Sequence, residues 1–411
     1  MAEPSQKRQK TEEDADFKQI NDFLQKDKNR SYLKMILDQI NFGVGNTSVY
    51  FVQVRGANAS VNSKFSTATI DADFIKKGQD QMLFVPLALF FGRGFGILSS
   101  LVNKDEVPED MDERRALLGL IKFLERTAEQ SVLLDRDKES AAALAIHLAQ
   151  HLLVPLVPQK TYVIDSYSGL QYEKCCSVEH PMNGTEGDTS YGCPYGWHGR
   201  VDVLLMDAEI PLSVVNSSGV EGDADTASVV SDSSVEENES DTFSPDSISQ
   251  VIAQTIVYSF VQHKKNPVSS NSMVPGIGIC SNKMVLYLYD CVEDILLASG
   301  PVRLFADTKV NTRAIIILWL ALNYKLFGNT TLPEYKKYTS KFHELIGPVT
   351  LKRYQEESEQ PFERKLENED FFKTHDDLEA KERNFGDDAP LAAEAVPKNI
   401  KTIPLKLLLG L

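Results

Sequence analysis

Three runs of sequence decide the fold: Lys160–Asp165 (KTYVID), Gly199–Met206 (GRVDVLLM) and Ile210–Val215 (IPLSVV). Each is rich in β-branched and aliphatic residues, and each is too short for a stable helix, so each reads as a strand. The last two are joined by a short turn centred on Asp207-Ala208. That centring pairs Asp202 with Ser213 across an antiparallel ladder and puts Val215 next on the same face. Upstream, Glu139–Leu153 is Ala-rich and ends before Pro155 and Pro158, which predicts a helix. Downstream, Ile248–His263 is apolar nearly all round, so it is expected to be a helix sandwiched between layers. Val274–Cys280 and Met284–Asp290 then form a hairpin through Ser281-Asn282-Lys283. The order is helix, strand, strand, strand, helix, strand, strand. It implies an α/β (or α+β) fold with a mixed central sheet flanked by helices.

Outward from this centre the signals thin. Asp112–Leu134 carries Leu117, Ile121, Leu124 and Ala128 at helical spacing. Asp294–Phe305 is extended, Thr312–Phe327 is a very apolar helix, and Tyr335–Leu345 is expected to be a short one. The N-terminal stretch reads as a helical pair followed by short strands. The expected layout is a disordered tail at 1–15, a smaller α+β region at 16–110, and the α/β core at 111–350. A charged tail at 351–411 ends in the apolar run IPLKLLLGL. Lys7, Arg8 and Lys10 form a small basic knot, readable as a nuclear import signal or as an ordinary solvated tail.

The 411 residues carry a net charge of −16, with 42% hydrophobic and 25% charged side chains. That composition excludes wholesale disorder, a collagen-like chain and a disulfide scaffold. Five Cys and a polar start fit reduced thiols and a cytoplasmic or nuclear location. The longest apolar runs, Ala314–Leu322 and Leu87–Phe91, are far short of the roughly 20 residues that span a bilayer, so no membrane partner is expected. Between Arg200 and Lys264 there is no Lys or Arg, while twelve acids lie from Asp202 to Asp246. Such acidity disfavours a binder that tracks phosphates. Within that window Asn216–Ser247 is Ser-rich with few large apolar residues, and is expected to be a disordered insertion. Ser233 and Ser234 each precede an acid three residues on, and Ser244 precedes Pro245, which makes all three phosphorylation candidates.

The element order over residues 139–290 resembles the core of the PD-(D/E)XK nuclease superfamily, whose common denominator is αβββαβ. The runs IAQTIVYSF and VPGIGI are also similar to those of uncharacterised eukaryotic proteins. In the nuclease superfamily an Asp on the second strand and a Glu-x-Lys on the third bind Mg²⁺ and position the attacking water. The cation acidifies that water, and the Lys offsets charge on the phosphate. Asp202, inside GRVDVLL, matches the strand-two Asp in type and setting, and would be the Mg²⁺ ligand. Gln250 and Gln254 on the next helix resemble polar residues that some members direct at the site. The third strand departs from the pattern: where Glu-x-Lys would fall, the chain reads Ser213-Val214-Val215-Asn216-Ser217-Ser218. A migrated acid could be Glu139, Glu209 or Glu221, and a migrated Lys could be Lys264 or Lys265. The expectation is a non-catalytic intracellular protein on a degenerate nuclease-like core, a pseudoenzyme that binds a protein partner. The alternative is a Mg²⁺-dependent nuclease with a rearranged site of Asp202, Glu209, Gln250 and Gln254, acting on nucleic acid.

Three other constellations are weaker. Cys175, Cys176, His180, Cys193 and His198 lack the C-x2-C or H-x3-5-H brackets of zinc sites, so zinc is not expected, and no other cofactor is. His147 and His151 lie four apart, but Leu148 stands where a zinc protease needs Glu, so they read as a packed pair. Gly92-Arg93-Gly94-Phe95-Gly96 lacks the Lys-Ser/Thr ending of a phosphate loop.

Overall fold

The computed structural model describes residues 18–77, 81–126, 141–158, 161–166, 184–205, 210–214, 243–267, 272–306, 309–328 and 333–362. Its first long helix is α1 (Asp27–Phe42), followed by β1 (Ser48–Ala57), β2 (Ile70–Phe74) and β3 (Phe84–Pro86). Helices α2 (Gly92–Lys104), α3 (Met111–Glu125) and α4 (Ala141–Leu148) come next. Then come β4 (Tyr162–Asp165), β5 (Gly184–Gly187), β6 (Tyr191–Gly192), β7 (Trp197–Gly199), β8 (Val203–Leu205) and β9 (Ile210–Val214). The long helix α5 (Pro245–Lys265) leads into β10 (Met273–Cys280), β11 (Lys283–Asp290) and β12 (Ile295–Ser299). Helices α6 (Thr312–Leu322) and α7 (Phe342–Glu357) close the described part.

The main sheet is mixed and runs β2-β1-β12-β11-β10-β9-β8-β4-β5, with β3 and the short strand Val302–Arg303 off this path. Strand β8 lies antiparallel to both β4 and β9, with Val203 opposite Ile164 and Leu212. Strands β9 and β10 are parallel, as the intervening helix α5 requires of a crossover. Helices flank the sheet: α5 packs on β10 and β11, α4 on β9, and α7 on β1.

The expected separation of residues 16–110 from the core is not what the chain does. Val49–Val52 of β1 pair with Ser299–Leu296 of β12, so the N-terminal strands extend the same sheet. Strand β1 is mostly buried because β12 holds one of its edges while β2 and β3 hold the other. At the other end, residues 351–362 are not a solvated tail. They complete α7 and run on to Phe362, where this unit ends. Glu359 pairs with Gly192 of β6 through two backbone hydrogen bonds of 3.1 and 3.0 Å, and the Phe362 amide donates to Ser190 Oγ at 3.0 Å.

Helix α5 starts three residues before the expected Ile248. Ser244 is its N-cap, accepting from the Ser247 amide at 3.1 Å, and Pro245 follows at a position where its missing N–H is harmless. Asp246 in the first turn and His263, Lys264 and Lys265 in the last suit the helix dipole. Phe243 is buried, so the expected insertion 216–247 gives way to ordered structure by that residue, and 215–242 lie outside the described residues. The helix comes close to the sheet over two glycines of β10. A Cβ at Gly276 would land on Thr255 Oγ1, and one at Gly278 would sit 2.9 Å from Val251 Cγ2.

Other expectations shift for local reasons. Helix α3 begins at Met111 because Asp110 caps it, accepting from the Asp112 and Glu113 amides. The helix expected at Tyr335–Leu345 instead starts at Phe342 and runs to Glu357. Gly347, at φ 72°, and Pro348 kink it and break its apolar period. The glycine run 92–96 is no loop but the first turn of α2. Gly94 is needed there, since a Cβ would meet Leu320 and Phe327 at 2.7 Å. Among the described residues no helix is long and apolar enough to cross a membrane.

Candidate functional site

Asp202 stands just before β8, and the observed ladder of Val203 with Leu212 sets its cross-strand neighbour as Ser213. Its carboxylate is half-buried and accepts from the Val214 amide at 3.1 Å. Beside it, Arg200 donates to Asp165 at the end of β4, 2.9 Å away, and lies 3.6 Å from Asp188. The Asp165 amide in turn donates to the Asp202 carbonyl at 3.2 Å. Two acids, Asp165 and Asp188, thus flank one guanidinium, and a backbone bond ties Asp165 to Asp202.

Ser213 is buried on β9, and its hydroxyl donates to Gln254 Oε1 at 2.6 Å. Period-two alternation aims Leu212 and Val214 at the opposite face of the sheet. Gln254 is itself buried, and its backbone carbonyl accepts from the buried Tyr191 hydroxyl at 3.4 Å. Its Nε2 is buried without a hydrogen-bond partner among the described residues. Gln250 lies one turn earlier on α5 and is half-exposed. The structure therefore links Ser213 of β9 to Gln254 of α5, with Asp202 across the ladder from Ser213.

Lys264 and Lys265 are engaged elsewhere. Lys264 Nζ donates to the carbonyls of Glu356 and Ser358, at 2.6 and 3.3 Å, and Lys265 Nζ to Gln360 Oε1 at 2.9 Å. Ten residues of helix, about 15 Å, separate Lys264 from Gln254. Glu209, Glu139 and Glu221 lie outside the described residues, as do Ser233 and Ser234, while Ser244 serves as the cap of α5.

Of the Cys/His group, Cys175, Cys176 and His180 lie outside the described residues. Cys193 is fully buried, and desolvation pushes its thiol up to about 11. His198 is half-buried, with Nδ1 3.3 Å from the Gly196 carbonyl and its ring against Phe362. Among the described residues no group of three or more His, Cys, Asp or Glu side chains could hold a metal ion. His147 is buried, and its ring packs on that of His151 with centroids 4.4 Å apart.

A second buried polar cluster carried no motif in the sequence. The Asp294 carboxylate accepts from the Tyr289 hydroxyl at 3.0 Å and the Ser340 hydroxyl at 2.5 Å, and from the His343 amide at 3.4 Å. Asp290 accepts from Ser272 and from the Val292 and Glu293 amides. These bonds tighten the β11–β12 turn, seat the start of α7 and, through Ser272, tie the start of β10 to the end of β11. Only the unusual φ of Asp294, 54°, reflects its position in a tight turn, and sequence offers no way to anticipate the partners.

No protein family model, curated protein or solved structure matches this chain.

Proposed function

We propose that this protein is a non-catalytic binding protein whose α/β core is nuclease-like, with α4, β4, β8, β9, α5 and β10 supplying the αβββαβ order. What supports the reading is one arrangement at the strand ends. The carboxylate at the strand-two position accepts the Val214 amide, and its cross-strand neighbour is a serine bonded to Gln254. A metal-dependent nuclease needs two carboxylates converging on one cation and a positive group for the phosphate. Here the strand-three position carries a neutral hydroxyl that is already satisfied. Mg²⁺ would have Asp202 as its ligand, and one carboxylate holds that ion weakly because it prefers its own water shell. The net charge of −16 adds a field that opposes a polyanionic substrate, which favours a protein partner over nucleic acid.

The direct test is a cleavage assay on single- and double-stranded DNA and on RNA, with Mg²⁺ or Mn²⁺, using wild type and Asp202→Asn. The expected result is no metal-dependent cleavage by either protein. Cleavage by wild type that disappears in Asp202→Asn would establish the rearranged nuclease instead.

A further inference from the structure

Helix α1 has two faces of different character. Leu33, Ile36, Leu37 and Ile40 are buried in the core, as an amphipathic helix requires. The opposite face is not polar. Ser31, Met35, Asp38 and Phe42 follow one another at spacings of four, three and four residues, the pattern that makes a straight seam for a second helix. Met35 is 46% exposed and Phe42 69% exposed, and Val44 just beyond the helix is 58% exposed. Together with Lys34 and Gln39 these residues line an open groove of about 420 Å³. Tyr32 is exposed on the same helix, and Phe84 and Leu89 are exposed on β3 and Leu87–Phe90, which both pack against α1. Met35, Phe42 and Val44, exposed together along one groove, mark an interaction surface rather than scattered exposure.

We propose that this face binds the same face of a second copy of the chain, forming a two-fold dimer through an antiparallel pair of α1 helices. The argument is self-complementarity, which a two-fold interface demands. With the axis passing between residues 36 and 37, Phe42 of each copy lies over Ser31 of the other, so the largest seam residue meets the smallest. Met35 falls opposite Asp38, whose carboxylate lies within one residue's rise, about 1.5 Å, of the level of the other copy's Lys34. Opposite charges then meet twice across the axis. A parallel pairing would set Lys34 on Lys34 and Asp38 on Asp38, which the charges oppose. The groove carries one Lys and one Asp, so it is neutral by itself and favours no strongly charged partner.

Sedimentation equilibrium on the full chain tests this. Wild type is expected to dimerise at concentrations of about 1–100 μM, the range of modest interfaces. Met35→Glu with Phe42→Glu should weaken dimerisation by about tenfold or more, with unchanged circular dichroism because both positions are exposed. Asp38→Lys and Lys34→Asp should each weaken self-association, since each sets like charges across the axis. An equimolar mixture of those two single variants should restore the dimer as a heterodimer. A monomeric wild type at about 100 μM would overturn the proposal. So would a dimer indifferent to all four substitutions, or a mixture of the two charge variants that stays monomeric.

Discussion

The Asp202 carboxylate receives the backbone amide of Val214 at 3.1 Å, just past the last paired residues of the β8–β9 ladder. The acid thus acts as an acceptor for a strand end whose opposite strand has turned away. This is the use of a carboxylate that keeps a buried amide satisfied.

Ser213 and Gln254 should behave as one unit. Ser213→Ala strands Gln254 Oε1 in the interior and should lower unfolding free energy by about 1–3 kcal/mol. Replacing both, with Ser213→Ala and Gln254→Leu, should cost less than the sum of the two single changes. Chemical denaturation of the four proteins in the cycle measures this coupling, and strict additivity would contradict the contact.

The approach of α5 to β10 should depend on Gly276. Gly276→Ala places a methyl group on Thr255 Oγ1 and is expected to destabilise by about 1–3 kcal/mol through overpacking. Adding Thr255→Ala should recover part of that loss in thermal unfolding. No recovery would mean that the helix does not sit this close.

Burial lowers the pKa of the half-buried His343, while Asp294 and Asp290 act to raise it. The folded state therefore resists a proton that the unfolded chain accepts. Stability held above the ordinary histidine value of 6.5 should fall as pH drops below it toward the lowered folded value. His343→Gln should flatten this part of the stability-versus-pH curve relative to wild type. An unchanged acid limb would show that another group governs it.

Cys193, Cys280 and Cys291 are buried, and desolvation pushes Cys193 up to about 11 and Cys291 up to about 12. None of the three should react with a maleimide in the native protein at pH 8, and all three should react in denaturant. Peptide mapping after labelling gives the answer, and rapid native labelling of Cys193 would contradict its burial.

Much of the sheet was legible because its strands are local and its turn chemistry is plain. The turn at Asp207-Ala208 implies the register that puts Asp202 beside Ser213, and the observed pairing of Val203 with Leu212 has that register. The pairing of β1 with β12 was not legible. Val49 and Ser299 are far apart in sequence, and nothing local selects such a partner. Helix α7 escaped because Gly347 and Pro348 break its period where the charged stretch begins. At the site, the acid and the helix residue Gln254 were readable as types and positions. Their bonds were not, since periodicity says little about which face of a helix buried all round meets which strand.

The role of Asp202 separates the account from its rival most directly, and thermal unfolding of wild type and Asp202→Ala, each with and without Mg²⁺, measures it. Ala removes the acceptor of the Val214 amide, so Asp202→Ala is expected to lose about 1–3 kcal/mol, with Mg²⁺ changing neither protein's midpoint. An acid held for metal chemistry should behave in the opposite way, because functional residues are often replaced without loss of stability. A variant as stable as wild type, together with a Mg²⁺-induced rise in midpoint seen only in wild type, would contradict the account.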